Sequence, residues 1–141
     1  MLKYLDIVGG FHAFFGVLGS LFGLLIVGLG VLFMAYGLYD FVHGVVYLME
    51  DPIYLKYAFD NLIQVAMLSA FVALPGLMVA VFYGLELFAG VAILKRWPKA
   101  RIAGFAAVLP SFFLSFPGMM LAIGTVVVLV DEEVIAELEP A

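Results

Sequence analysis

Cysteine is absent from this chain, which removes disulfides, thiolate metal ligands and cysteine nucleophiles. Charge is nearly as scarce, at 12% of residues, and only six of those are lysine or arginine, too few for a nucleic-acid partner. Histidine occurs twice, at His12 and His43, with no His-Glu-x-x-His zinc motif, and no glycine-rich nucleotide loop is present. These absences leave no motif for an enzyme, a cofactor or a metal centre, and a non-enzymatic protein is expected.

What is there is apolar. Hydrophobic residues make up 67% of the 141, with a mean hydropathy of +1.24. The expectation is an all-α integral membrane protein with one membrane domain, 1–141, and no separate soluble one. Met1-Leu2-Lys3 runs directly into an apolar stretch too long for a signal-peptide core, with no small-residue cleavage site after it, so the segment is expected to be retained.

Three apolar blocks stand out. Ile7–Tyr39 has His12 as its one histidine or charged residue, Leu62–Leu94 has only Glu86, and Ile102–Val130 has none. Each exceeds the roughly 20 residues that a helical span needs. Three long transmembrane helices are therefore expected, at about 5–38, 62–95 and 101–130. Proline offers break points at Pro75, Pro110 and Pro117. The alternative is four spans, with Gly28 and Gly30 turning the first block into a hairpin of 5–27 and 31–50.

Small residues favour three. Gly9, Ala13, Gly16, Ser20 and Gly23 recur at steps of four and three, and Gly30 and Gly37 keep the phase. Ala66, Ser69, Ala73, Gly76 and Ala80 repeat the pattern in the second block, and Ala107, Ser111, Ser115, Gly118 and Ala122 in the third. Such seams let helix backbones approach closely.

Lys95, Arg96, Lys99 and Arg101 crowd around Trp97 between the second and third blocks. The positive-inside rule puts this loop, 95–101, in the cytoplasm, where it sets topology and touches lipid headgroups, with the tryptophan as interface anchor. With three spans, the C-terminus then lies outside the cell membrane. The acidic tail, 131–141, is expected to be a short solvated helix whose main apolar pair is Val134 and Leu138. Between the first two blocks, 40–60 reads as an outer interfacial amphipathic segment, because Asp40, His43, Tyr47, Glu50 and Tyr54 share a helical face.

A glycine-rich first helix, then Ala73-Leu74-Pro75-Gly76, then Ala89-Gly90-Val91-Ala92-Ile93-Leu94-Lys95-Arg96-Trp97, then Phe116-Pro117-Gly118 form a pattern across most of the chain. In this it resembles a group of small prokaryotic multi-helix integral membrane proteins of unassigned function. Their signatures are a Leu-Pro-Gly, a Gly-Ile-Gly-Leu-Leu run into a basic Trp-Ala-Arg, and a Phe-Pro-Leu-Gly. Here the tryptophan is displaced and the leucine between proline and glycine is missing. The resemblance implies a topology and no activity.

Glu86 is the leading candidate for a functional group. A carboxyl so deep in apolar sequence costs a few kcal/mol on insertion scales and needs a partner, a proton or a role. Tyr83, one turn earlier, is its local candidate partner, and His12 the candidate across the bundle. Asp40 and His43 stand at ligand spacing with Glu50 nearby, but two aligned polar residues read first as a solvated helix face. The expected function is a non-enzymatic membrane component, a homo-oligomer or an accessory subunit, whose partners are the lipid bilayer and another copy or another membrane protein. The alternative is an oligomeric ion, proton or small-solute channel or transporter using Glu86.

Overall fold

The computed structural model describes residues 1–46, 53–114 and 116–139, all of whose regular structure is helical. The helices are α1 (Leu2–Val46), α2 (Ile53–Leu94), α3 (Ala100–Leu114), α4 (Phe116–Leu129) and α5 (Glu132–Leu138). At 45 and 42 residues, α1 and α2 are long and apolar enough to cross a membrane. Neither is buried as a core helix would be: in each, the most apolar stretch is only 11% buried, and Leu25, Leu32, Met67 and Phe71 point outward.

The four-span alternative is not what forms. Helix α1 continues through Gly28 and Gly30, and Gly30 is buried against α2 instead of making a turn. Pro75 likewise leaves α2 undivided.

The chain divides into two compact units. In the unit Phe22–Met78, α1 and α2 run antiparallel with backbones close together. A Cβ at Gly30 would sit 2.8 Å from that of Ala73, one at Gly37 2.9 Å from that of Val65, and one at Gly76 2.8 Å from that of Ile26. Gly30, Gly37 and Gly76 are therefore the seam positions where any Cβ would force the helices apart. The interfacial segment expected over 40–60 is not a separate element where described: 40–46 continue α1, 53–60 open α2, and Phe41 and Phe59 meet edge to face at 5.0 Å. Tyr47 and Glu50 lie outside the described residues.

In the other unit, Met1–Leu21 and the chain from Val79 onward, the same pairing continues. Gly16 abuts the backbone of Leu87, Gly90 that of Ala13, and the Tyr83 ring lies over Gly19. Here the third expected span is corrected. Residues 101–130 form two helices of 15 and 14 residues, each shorter than a span needs. Arg101, at the start of α3, donates from Nε to the carbonyl of Leu129, at the end of α4, at 3.0 Å. The helices are thus an antiparallel hairpin that returns to the level at which it began. Pro117 fits because it sits in the first turn of α4, where a missing N–H costs nothing.

The hairpin reverses the expected position of the tail. Helix α5 lies beside the 95–101 connection, not at the far end from it, and Arg96 pairs with Glu137 while Arg101 pairs with Glu139, both at 3.5 Å. Asp131 caps α5, its carboxylate accepting from the Glu133 N–H at 3.1 Å. The tail is not solvated all round: Val134 is fully buried and Leu138 3% exposed, in a cluster with Leu5, Val8, Ile93 and Leu129.

Candidate functional site

Two buried polar pairs lie inside the four-helix part of this unit. Each joins an ionisable side chain of a long helix to a hydroxyl of the short hairpin. Glu86 of α2, 2% exposed, is hydrogen-bonded through Oε1 to Ser111 Oγ of α3 at 2.6 Å. His12 of α1, with no exposed surface, is bonded through Nε2 to Thr125 Oγ1 of α4 at 2.8 Å. Both hydroxyls also lie 2.7 Å from the carbonyl four residues earlier on their own helices, Ala107 and Leu121.

Proton counting decides what these contacts are. A hydroxyl carries one proton and two lone pairs. If Thr125 donates to the Leu121 carbonyl, its oxygen can only accept from His12, so Nε2 carries the imidazole proton. Nδ1 is then a bare acceptor, and it is buried without a partner. A doubly protonated ring would place an orphan N–H there, at greater cost.

Ser111 faces the same choice. With an ionised Glu86 it can serve the carboxylate or the Ala107 carbonyl, leaving oxygen against oxygen at the other contact. With a protonated Glu86 both contacts are hydrogen bonds: the carboxyl donates to Ser111, and Ser111 donates to Ala107. A neutral carboxyl satisfies both Ser111 contacts, and a neutral imidazole leaves only the His12 Nδ1 lone pair without a partner.

Glu86 and His12 go to different hydroxyls. Ala13 opposes Gly90 and Gly16 opposes Leu87, so Glu86 lies about one helical turn further along the bundle than His12. Tyr83, expected beside Glu86, packs its ring on Gly19, and Ser111 is the group that bonds the carboxyl.

The outer face Asp40, His43 and Glu50 gathers less. His43 is exposed; its Nδ1 lies 3.0 Å from the Tyr39 carbonyl and its ring 4.0 Å from the Tyr39 ring. Among the described residues no three histidine, aspartate or glutamate side chains come together as metal ligands. Glu50 is outside the described residues.

The basic turn is built tightly. Arg96 takes a left-handed backbone conformation, φ 51°, and closes α2: its N–H donates to the Ile93 carbonyl at 3.1 Å and that of Trp97 to Ala92 at 3.0 Å. Its guanidinium reaches the Ile93 carbonyl and Asp6, both at 2.8 Å. The Lys95 ammonium sits 5.6 Å over the Trp97 ring, and Lys99 is exposed with φ 67°. Arg96 and Arg101 therefore face the chain's own carboxylates, whereas Lys95 and Lys99 point to the surroundings. Alongside, the Met1 ammonium hydrogen-bonds Glu133 at 2.7 Å; this holds the Glu133 carboxyl below its usual range and raises the amine.

No protein-family model, curated protein or solved structure matches the chain. Its functional reading rests on its own residues. Sequence reasoning missed Thr125 altogether and placed Ser111 only in a small-residue seam. The available signal was a hydroxyl within an apolar block, which helices tolerate by bonding the carbonyl four residues back and which leaves lone pairs for a partner. Asp6 and the tail carboxylates Glu137 and Glu139 were equally unassigned as partners of arginine.

Proposed function

We propose that the chain is an integral protein of the cell membrane that works as a non-enzymatic component of a membrane assembly, as a homo-oligomer or as an accessory subunit. The observation that carries this is the direction of its side chains. Both ionisable groups of the apolar blocks, Glu86 and His12, are turned inward and bonded to the Ser111 and Thr125 hydroxyls, while large apolar side chains cover the outward surface of α1 and α2 along those blocks. Such a surface suits lipid and apolar partners.

In this reading α1 and α2 cross the bilayer, and the α3–α4 hairpin enters and returns on the side of the basic turn. The positive-inside rule makes that side cytoplasmic, with the N-terminus and α5 on it.

The alternative, an oligomeric ion or proton channel using Glu86, has less support. A pore between copies needs Glu86 on an outward face, and it is 2% exposed and bonded within its own chain.

Native mass spectrometry of the protein released from lipid nanodiscs tests the proposal. A defined oligomer or a retained partner supports it. A strict monomer with no partner overturns it.

A further inference from the structure

Five of the six basic residues, Lys3, Lys95, Arg96, Lys99 and Arg101, gather at one end of the unit that holds the buried pairs, and α5 folds across that end. Its contacts are of three kinds. The Met1 ammonium bonds Glu133 at 2.7 Å. Val134 and Leu138 fill an apolar cleft lined by Leu5, Val8, Ile93, Ala100 and Leu129. Glu137 and Glu139, each about half exposed, extend to Arg96 and Arg101 at 3.5 Å. Helix α5 thus presents two anionic heads and two apolar side chains to paired guanidiniums beside a greasy cleft.

The hold is light. Seven residues are too few for a helix to persist alone. Half-exposed ion pairs at this distance are weak and screened by salt. The chain joins α5 to α4 through only Val130 and Asp131.

We propose that α5 is a latch over a binding site for an anionic lipid. With α5 displaced, the lipid phosphate bonds Arg96 and Arg101 in place of the two carboxylates, and its acyl chain fills the cleft that Val134 and Leu138 occupy. Guanidinium groups suit the exchange because their planar N–H pairs match phosphate oxygens as well as carboxylate oxygens. The inference rests on the membrane reading above, since headgroup phosphates are abundant only at a bilayer surface.

Trp97 is the only tryptophan and adjoins Arg96, so it reports on this site. The test reconstitutes the wild type, a Val134→Asp/Leu138→Asp variant and a Glu137→Gln/Glu139→Gln variant into phosphatidylcholine vesicles containing phosphatidylglycerol. The bromine quencher is placed on the chains of one lipid or the other. The glutamine variant keeps the apolar contacts and guards against a misfolded aspartate variant.

Both variants are expected to show Trp97 quenching at least twofold stronger from brominated phosphatidylglycerol than from brominated phosphatidylcholine, and the wild type a smaller preference. Adding Arg96→Gln and Arg101→Gln is expected to abolish it. Equal quenching by the two lipids in both variants overturns the latch alone. No quenching by either lipid overturns the membrane reading, and the latch with it.

Discussion

Glu86 Oε1 and Ala107 O lie 2.6 and 2.7 Å from the same oxygen, Ser111 Oγ. One hydroxyl proton cannot serve both, so the second proton belongs to the carboxyl. Glu86→Gln is therefore expected to cost less than about 1 kcal/mol, because the amide N–H₂ donates to Ser111 as the acid does. Ser111→Ala, which leaves Glu86 buried and unpaired, is expected to cost about 1–3 kcal/mol. Denaturant titration in detergent micelles compares the two. Infrared difference spectroscopy looks for a carboxylic-acid carbonyl band that Glu86→Gln removes; its absence from the wild type would sink the neutral assignment.

His12 and Thr125 make the parallel case. Thr125→Ser keeps the hydroxyl and is expected to retain the Nε2–H tautomer, whereas Thr125→Val strands that N–H and destabilises the fold by about 1–3 kcal/mol. Nitrogen NMR of labelled histidine reads the tautomer directly, and a protonated Nδ1 with bare Nε2 would refute the hydrogen-bond direction.

The glycines separate into two classes. Gly16→Ala drives a methyl into the Leu87 backbone and is expected to lose about 1–3 kcal/mol, since two helices must move apart. Gly28→Ala meets open space and is expected to be neutral or to gain up to about 1 kcal/mol from helix propensity. Equal melting temperatures for the two variants would mean that the seam does not hold α1 to α2.

Arg96 combines an unfavourable backbone with favourable side-chain contacts. Arg96→Ala loses the Asp6 and Glu137 pairs and keeps the left-handed strain, whereas Arg96→Gly loses the pairs and relieves it. The alanine variant is expected to be the less stable by about 1 kcal/mol. The reverse order in thermal unfolding would show that the turn does not adopt this conformation.

Topology is open to direct chemistry because the chain has no cysteine. Single variants Lys99→Cys and Ala136→Cys are expected to react with an impermeant maleimide from the same side of sealed vesicles. Labelling from opposite sides would restore a third full span over 101–130.

Hydrophobicity alone determined that α1 and α2 are long apolar helices, and the three-and-four spacing of Gly9, Gly16, Gly30 and Gly37 identified the face on which they meet. These features were legible because helix period and residue size are local properties. Glu86 and His12 stood out for a similar reason, as ionisable groups in apolar sequence.

Their partners did not. Ser111 and Thr125 lie 25 and 113 residues away along the chain, and only the return of the α3–α4 hairpin brings them alongside. That return is a tertiary decision: the 29-residue uncharged stretch from Ile102 to Val130 suits one long helix or two short ones equally well by composition. Packing favours the hairpin, because it buries Ala107, Ser111, Ala122 and Thr125, gives Glu86 and His12 each a hydroxyl partner and carries the tail carboxylates back to Arg96 and Arg101. A straight helix would carry the hydroxyls away from these partners and leave the acidic tail a full helix length from the charges it neutralises.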